Sequence, residues 1–231
     1  MIEPPFYPCY VDLDPFIDVE RLRSLDDGLR ERLQRRIDRE RDLRFYTGPF
    51  LLEEDAAAVP GPRMVALSRS AREEVYYDLD NTELWGPSEE AEEFAELMAF
   101  IDTLPFKARG RMLIIYVQQG RAVSAHRDHD EADLCHEFIW FRSNLAKPFF
   151  MLNPRTGERL DVVSHAAWFD TVNQYHGADA TGELAWSIRV DGVFSDEFRA
   201  QIPVPESGRA AAAAHWAARG AARGATRGLA A

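Results

Sequence analysis

The chain changes its hydrophobic period about halfway along. In the first half Leu22, Leu25, Leu29, Leu33 and Ile37 recur at steps of three and four residues between charged neighbours, the stripe of an amphipathic helix that buries one side. Asp18 stands where an N-cap would accept from the first-turn amides. A second helix is announced by Pro87-Ser88-Glu89-Glu90, with Ser88 as cap and acids on the first turn. Ala91, Phe94, Leu97, Met98 and Ile101 then share one face, and Pro105 helps to end it. Both stripes predict packing helices rather than cofactor or partner sites, because a charged opposite face is what any scaffold helix presents to water. From residue 111 the pattern shortens to β-rich runs: Met112–Val117, Leu134–Phe141, Pro148–Leu152, Arg159–Val163, Ala167–Asp170 and Leu184–Phe194. Gly120, Asn153-Pro154, Gly157, Gly177 and Gly182 punctuate them. Many short strands in succession predict an antiparallel sandwich or barrel. Helices first and strands afterwards give an α+β chain, with N-terminal packing helices on a β core that carries the chemistry.

The 231 residues, 46% hydrophobic and 29% charged, suffice for one real core and place the chain outside the disordered class. The expected organisation is a helical, substrate-covering region over residues 1–110, a β core over 111–200 and a flexible tail over 201–231. Residues 207–231 hold 12 alanines and four arginines without an acid, a composition that predicts a solvated arm. Removing those four positive charges from the net −12 leaves −16 on residues 1–208. That field repels phosphate backbones and anionic lipid, so neither nucleic acid nor a membrane is an expected partner. Cys9 and Cys135 make no disulfide framework, which points to a reducing compartment. MIEPPFYPCY lacks the basic start and apolar run of a signal peptide, and no run reaches the ~18 apolar residues of a membrane span. A cytoplasmic location is expected.

The densest polar cluster is Ser124-Ala125-His126-Arg127-Asp128-His129-Asp130-Glu131. On a strand, positions i and i+2 share a face, so His126 and Asp128 can aim at one atom while Arg127 and His129 point away. A register shifted by one would offer His129 and Asp130 instead. A third ligand must come from elsewhere, and His176 ends a later strand; Asn173, just before it, is either a ligand-orienting residue or a turn former. Two imidazoles and one carboxylate with open positions form the ligand set of non-haem Fe(II) oxygenases. A His-x-Asp pair alone is a weak signal, and the ordered set of His-x-Asp, late His and following Arg189 is a stronger one. Ser187 and Arg189 share a strand face, and an inward arginine needs an anion. A ligand carboxylate would satisfy it in a bidentate pair. Trp140, Phe149, Phe150 and Trp168 are expected in the core, Arg142 and Asn144 are candidates to touch substrate, and His165 and His215 are incidental.

At His126-Arg127-Asp128, His176 and Arg189 the chain resembles the 2-oxoglutarate- and Fe(II)-dependent oxygenase superfamily, over roughly residues 110–195. The resemblance implies a double-stranded β-helix (jelly-roll, cupin-like) core. It implies Fe(II) on His126, Asp128 and His176, and 2-oxoglutarate as co-substrate with its distal carboxylate on Arg189, helped by Ser187 or His136. The implied reaction consumes dioxygen, oxidatively decarboxylates 2-oxoglutarate to succinate and carbon dioxide, and hydroxylates a C–H bond. His136-Glu137-Phe138-Ile139 and Trp168-Phe169-Asp170 look most like the branch of aspartyl/asparaginyl β-hydroxylases and amino-acid (proline) hydroxylases, in which a histidine on this strand helps to hold the co-substrate. The implied substrate is an amino acid or an amino-acid side chain. Two departures stand out. Some members of that branch lack the carboxylate ligand that Asp128 supplies here. Arg189 also lies 13 residues after His176, whereas the branch's arginine can sit a few residues closer.

Two other readings use the same residues. A cupin-like metal-dependent isomerase or metal-binding module keeps the barrel and metal and needs no dicarboxylate anchor. A nucleic-acid demethylase of the same superfamily is disfavoured by Phe194-Ser195, where a second arginine would follow, and by the acidic body. Phe45–Pro60 and Arg72–Trp85 are candidates for the substrate wall.

Overall fold

The computed structural model describes residues 10–43, 63–71, 84–117, 121–128, 137–171 and 174–202. The expectations for Cys9, Cys135, His129, Asp130, His136, Asn173, His215, Phe45–Pro60, most of Arg72–Trp85 and the tail from residue 203 lie outside the described residues.

The stripe from Leu22 to Ile37 forms two helices, α1 (Val19–Ser24) and α2 (Asp26–Leu43), where one was predicted, with Leu25 as the C-cap between them. Asp18 accepts from the Arg21 amide at 2.9 Å, as its position predicts. Leu22, Leu29, Leu33 and Ile37 are buried; deletion of one such side chain, as in Leu33→Ala, costs about 2–5 kcal/mol. The second helix begins at its predicted cap, Ser88 Oγ accepting from the Ala91 amide. Its first part is a 3-10 turn over Glu89–Phe94, before α3 (Ala95–Ile101). Ala91, Phe94 and Leu97 are all buried at three-residue spacing, which a turn of three residues lines up on one side. A short helix, α4 (Asp196–Gln201), closes the described chain.

The strands are β1 (Val11–Asp12), β2 (Arg63–Ala66), β3 (Ser68–Ser70), β4 (Trp85–Pro87), β5 (Phe106–Val117) and β6 (Val123–His126). They continue as β7 (Glu137–Phe141), β8 (Phe149–Leu152), β9 (Arg159–Val162), β10 (Ala166–Trp168), β11 (Tyr175–Ala178) and β12 (Ala185–Phe194). A six-stranded sheet runs β1-β10-β7-β12-β5-β2 and a four-stranded sheet runs β6-β11-β8-β9, while β3 and β4 pair separately. Every pairing is antiparallel. The architecture is thus mixed helix and antiparallel sheet. The region before residue 110 adds strands as well as helices: β1 and β2 extend the larger sheet at its two edges. Runs of two to four residues carry too little alternation to be seen as strands in a sequence.

The larger sheet is buried on both faces, which is why β5, β7 and β12 read as nearly continuous apolar runs. Its outer face packs on the helices: Ile114, Tyr116, Ile139, Phe141, Ile188 and Val190 join Leu22, Leu29, Leu33, Leu97 and Phe100 in one cluster. Its inner face meets the smaller sheet through Phe138, Trp140, Met151, Val162 and Phe169. Between the two sheets lies the cavity that contains the candidate site. No helix among the described residues is long and apolar enough to cross a membrane.

Candidate metal centre

His126 is the last residue of β6, and His176 is the second of β11. The two are direct cross-strand partners, so the antiparallel ladder itself brings together residues fifty positions apart. Their rings lie 4.6 Å apart between centroids. Asp128 stands just beyond the end of β6, where its amide donates to the Thr171 carbonyl at 3.0 Å. That bond ties the turn after β6 to the segment leading into β11 and aims the carboxylate back at the two rings. Asp128 Oδ1 is 3.2 Å from His176 Nε2 and 3.7 Å from His126 Nε2. One ligand atom from each of the three residues lies within 4.8 Å of the others.

The hydrogen bonds on the far sides of the rings set the chemistry. His126 Nδ1 lies 2.8 Å from the Ser124 carbonyl and His176 Nδ1 lies 3.3 Å from the Gln174 carbonyl. A carbonyl only accepts, so Nδ1 carries the proton in each ring and Nε2 presents its lone pair to the shared point. Three acceptors facing one another repel unless a positive charge sits among them. Imidazole nitrogen and carboxylate oxygen suit a divalent first-row metal, and the carbonyl partners hold the rings in register for it. The donor set fits a non-haem Fe(II) centre.

Arg189, expected to be an inward-pointing base, is one, but its anions are internal. Nη1 donates to Asp128 Oδ2 at 2.6 Å and Nε donates to Asp191 Oδ1 at 2.8 Å. Asp191 is fully buried and also accepts from Arg111 Nε at 3.0 Å. The guanidinium lies 4.1 Å over the Phe138 ring. Burial alone would lower the Arg189 pKa, but Asp191 and Asp128 hold it above the ordinary value. Burial likewise pushes the Asp128 carboxyl up, but the neighbouring His176 imidazole and the Arg189 guanidinium outweigh it and hold it well below the usual carboxylate range. The carboxylate that faces the two rings is therefore ionised and pinned through its second oxygen.

The triad opens on a cavity of about 260 Å³. Its wall is mostly apolar and aromatic, with Ile115, Val117, Phe138, Trp140, Phe149, Phe169 and Trp186 around the polar groups. Trp140 and Phe149 stack at 4.4 Å, and Phe149 and Phe169 flank the His176 ring at 5.8 and 5.2 Å. Trp140 and Phe150 are buried as expected, and Trp168 packs against both core clusters. Ser187 lines the cavity beside Arg189. Arg142 also lines it, but its fork is spent on the carbonyls of Ser164, Lys147 and Val162. Burial lowers its pKa to about 10, against the opposing charge of Asp14. Asn144 is directed away, to Asp26. His165 Nδ1 bonds the Arg142 carbonyl. Sequence reasoning passed over Asp191, although it sits two residues from Arg189 on the same strand face, and it passed over Lys147, which no motif marks.

No family model matches the chain, and no curated protein matches it. Among solved structures, a prolyl-4-hydroxylase from Pseudomonas putida is similar over 78% of this chain and 89% of its own, at 14% identity and a TM-score of 0.42. A prolyl hydroxylase from Trichoplax adhaerens, in complex with a peptide fragment of the hypoxia inducible factor oxygen degradation domain, is similar over 75% of this chain and 81% of its own, at 11% identity and a TM-score of 0.42. An oxidoreductase of the 2OG-Fe(II) oxygenase family from Burkholderia pseudomallei is similar over 56% of this chain and 67% of its own, at 11% identity and a TM-score of 0.36. Similarity at this level leaves the chemistry to be read from the side chains.

Proposed function

We propose that the protein is a cytoplasmic Fe(II)- and 2-oxoglutarate-dependent dioxygenase that hydroxylates an amino acid or an amino-acid side chain. The observation that carries this reading is the meeting of His126 Nε2, His176 Nε2 and Asp128 Oδ1 on the wall of a mostly apolar cavity. The strand order supports a double-stranded β-helix. From β5 to β12 the strands β5, β7, β10 and β12 fall in one sheet and β6, β8, β9 and β11 in the other, so the chain winds back and forth between two facing layers. The β core over 111–200 supplies the site in this reading, and the region over 1–110 packs on it and covers the substrate.

Bound Fe(II) supplies the coupling of dioxygen reduction and 2-oxoglutarate decarboxylation, to succinate and carbon dioxide, with insertion of one oxygen atom into a substrate C–H bond. The chain's own part is positional. His126 and His176 hold neutral Nε2 donors in place through their Nδ1 protons. Arg189 keeps Asp128 ionised and leaves Oδ1 turned to the metal position. Trp140, Phe149 and Phe169 exclude water beside it, which protects a reactive centre from side reactions. The wall offers three bases to the distal carboxylate of the co-substrate, Arg189, Arg142 and Lys147.

Anaerobic addition of Fe(II) and 2-oxoglutarate is expected to give a visible charge-transfer band, and a screen of free amino acids is expected to find one that stimulates succinate release. A protein that binds Fe(II) without the band and without succinate release would instead be the cupin-like metal protein.

A further inference from the structure

The cavity wall carries three cationic groups, Arg189, Arg142 and Lys147. Beside the triad, Arg189 is committed to two carboxylates and one aromatic face. Releasing it to a ligand would break its 2.6 Å bond to Asp128 Oδ2 and its 2.8 Å bond to Asp191 Oδ1. Arg142 has its fork filled by three backbone carbonyls, and one of these is the carbonyl of Lys147. The Lys147 ammonium is different. It donates to the Arg121 carbonyl at 2.9 Å and forms no ion pair among the described residues. Asp179, the carboxylate whose charge reaches it, is held by both Nη atoms of Arg159 at 3.1 and 2.7 Å. An ammonium has three donors, so two are left for a ligand.

Register places this group away from the metal. Ala178 follows His176 by two residues on β11, about 7 Å along the strand. Ala178 pairs with Phe149 on one side and Val123 on the other. Lys147 precedes Phe149 by two residues, and its side chain spans the sheet end to reach Arg121, two residues before Val123. Val123, Ala178, Phe149 and Lys147 all line the cavity. The cavity wall therefore carries the metal-binding triad and, about two residues farther along β11, an ammonium, with Val123, Ala178 and Phe149 between them. That layout suits a molecule with one end to chelate a metal, a short carbon chain, and an anion at the other end.

We infer that Lys147 receives the distal carboxylate of the 2-oxo diacid, and that Arg189 is a positioning residue for Asp128 rather than the co-substrate anchor. The inference rests on the oxygenase reading and assigns a specific base within it. Arg142 supports it from behind by fixing the backbone of Lys147.

The test is calorimetric binding to the full-length protein loaded with Co(II), using 2-oxoglutarate and 2-oxopentanoate, which lacks the distal carboxylate. The wild type is expected to prefer the diacid. Lys147→Met and Lys147→Gln are expected to lose about 10- to 100-fold in 2-oxoglutarate affinity, the worth of a charged hydrogen bond, with 2-oxopentanoate and Co(II) affinities unchanged. Lys147→Arg is expected to recover part of the loss. Persistence of the full preference in both neutral variants, with Co(II) affinity intact, overturns the assignment of Lys147 and leaves the oxygenase reading standing. A wild type that binds Co(II) and neither acid overturns the oxygenase reading itself.

Discussion

Arg189 and Asp191 lie two residues apart on β12 and are joined, Nε to Oδ1, at 2.8 Å, making them the middle of a buried row of alternating charge, Arg111–Asp191–Arg189–Asp128. The row ends on the carboxylate that faces the two histidines. Removing one member leaves a buried guanidinium short of its partner, which costs about 3–5 kcal/mol. Asp191→Asn is expected to lower the urea midpoint sharply. It is also expected to weaken Co(II) binding about 10-fold or more through the loosened Arg189. An unchanged Co(II) affinity in a folded variant would show that the row is structural only.

His176→Ala and Asp128→Ala each remove a donor from the shared point, while the fold around them rests on clusters in which neither residue takes part. Both variants are expected to keep the wild-type circular dichroism spectrum at room temperature, Asp128→Ala with a lowered urea midpoint because Arg189 loses a partner, and to lose Fe(II)-dependent 2-oxoglutarate turnover. Retained turnover in both would show that the ligands lie elsewhere.

Gly177 follows His176 where β6 lies close against β11. A Cβ there would lie 2.7 Å from the Val123 carbonyl oxygen, 2.8 Å from Phe150 Cζ and 3.2 Å from Ala125 Cα. The phenyl ring can turn aside, but the strand backbone cannot without leaving its partner. Gly177→Ala is therefore expected to part the ladder that pairs His126 with His176, lowering Co(II) affinity by about 10-fold or more. A crystal structure or a metal titration indistinguishable from wild type would refute this.

The meeting of His126, Asp128 and His176 was legible in the sequence because one antiparallel ladder suffices to bring two strand histidines together, although Asp128 stands just beyond β6 rather than on its face. A His-x-Asp pair at a strand end and a late histidine need only one antiparallel ladder to meet. The helices were legible through Leu22, Leu29, Leu33 and Ile37, although the break at Leu25 left no mark in the period. Strands β6 and β11 were visible only through the chemistry they carry, since four residues such as Val-Ser-Ala-His and Tyr-His-Gly-Ala are too short a run for alternation to mark a strand. The partners of Arg189 and the role of Lys147 depend on which groups cross between the sheets, and no local period encodes that. An inward arginine does announce that an anion is near, but whether the anion belongs to the ligand or to the chain is decided by tertiary contact.

Lys147 ties the proposed co-substrate site to pH. Burial lowers its pKa below the ordinary 10.5, with the charge of Asp179 opposing the shift. Around it stand the Arg121 carbonyl, the guanidinium of Arg142 on its own carbonyl, and Asp179 already paired with Arg159. Only the charged ammonium holds a carboxylate. Affinity for 2-oxoglutarate is thus fully present below the pKa of free Lys147 and is lost as pH rises through it, by up to about tenfold per pH unit for a single proton. The fall should begin below pH 10.5, and 2-oxopentanoate should not show it. In Lys147→Arg the fall should move to higher pH, because a guanidinium holds its proton more tightly than an ammonium in the same place. Calorimetric titrations of the Co(II) protein from pH 7 to 10.5 measure this directly; a wild-type profile that stays flat, or a Lys147→Arg profile that falls in parallel with it, assigns the carboxylate to another base.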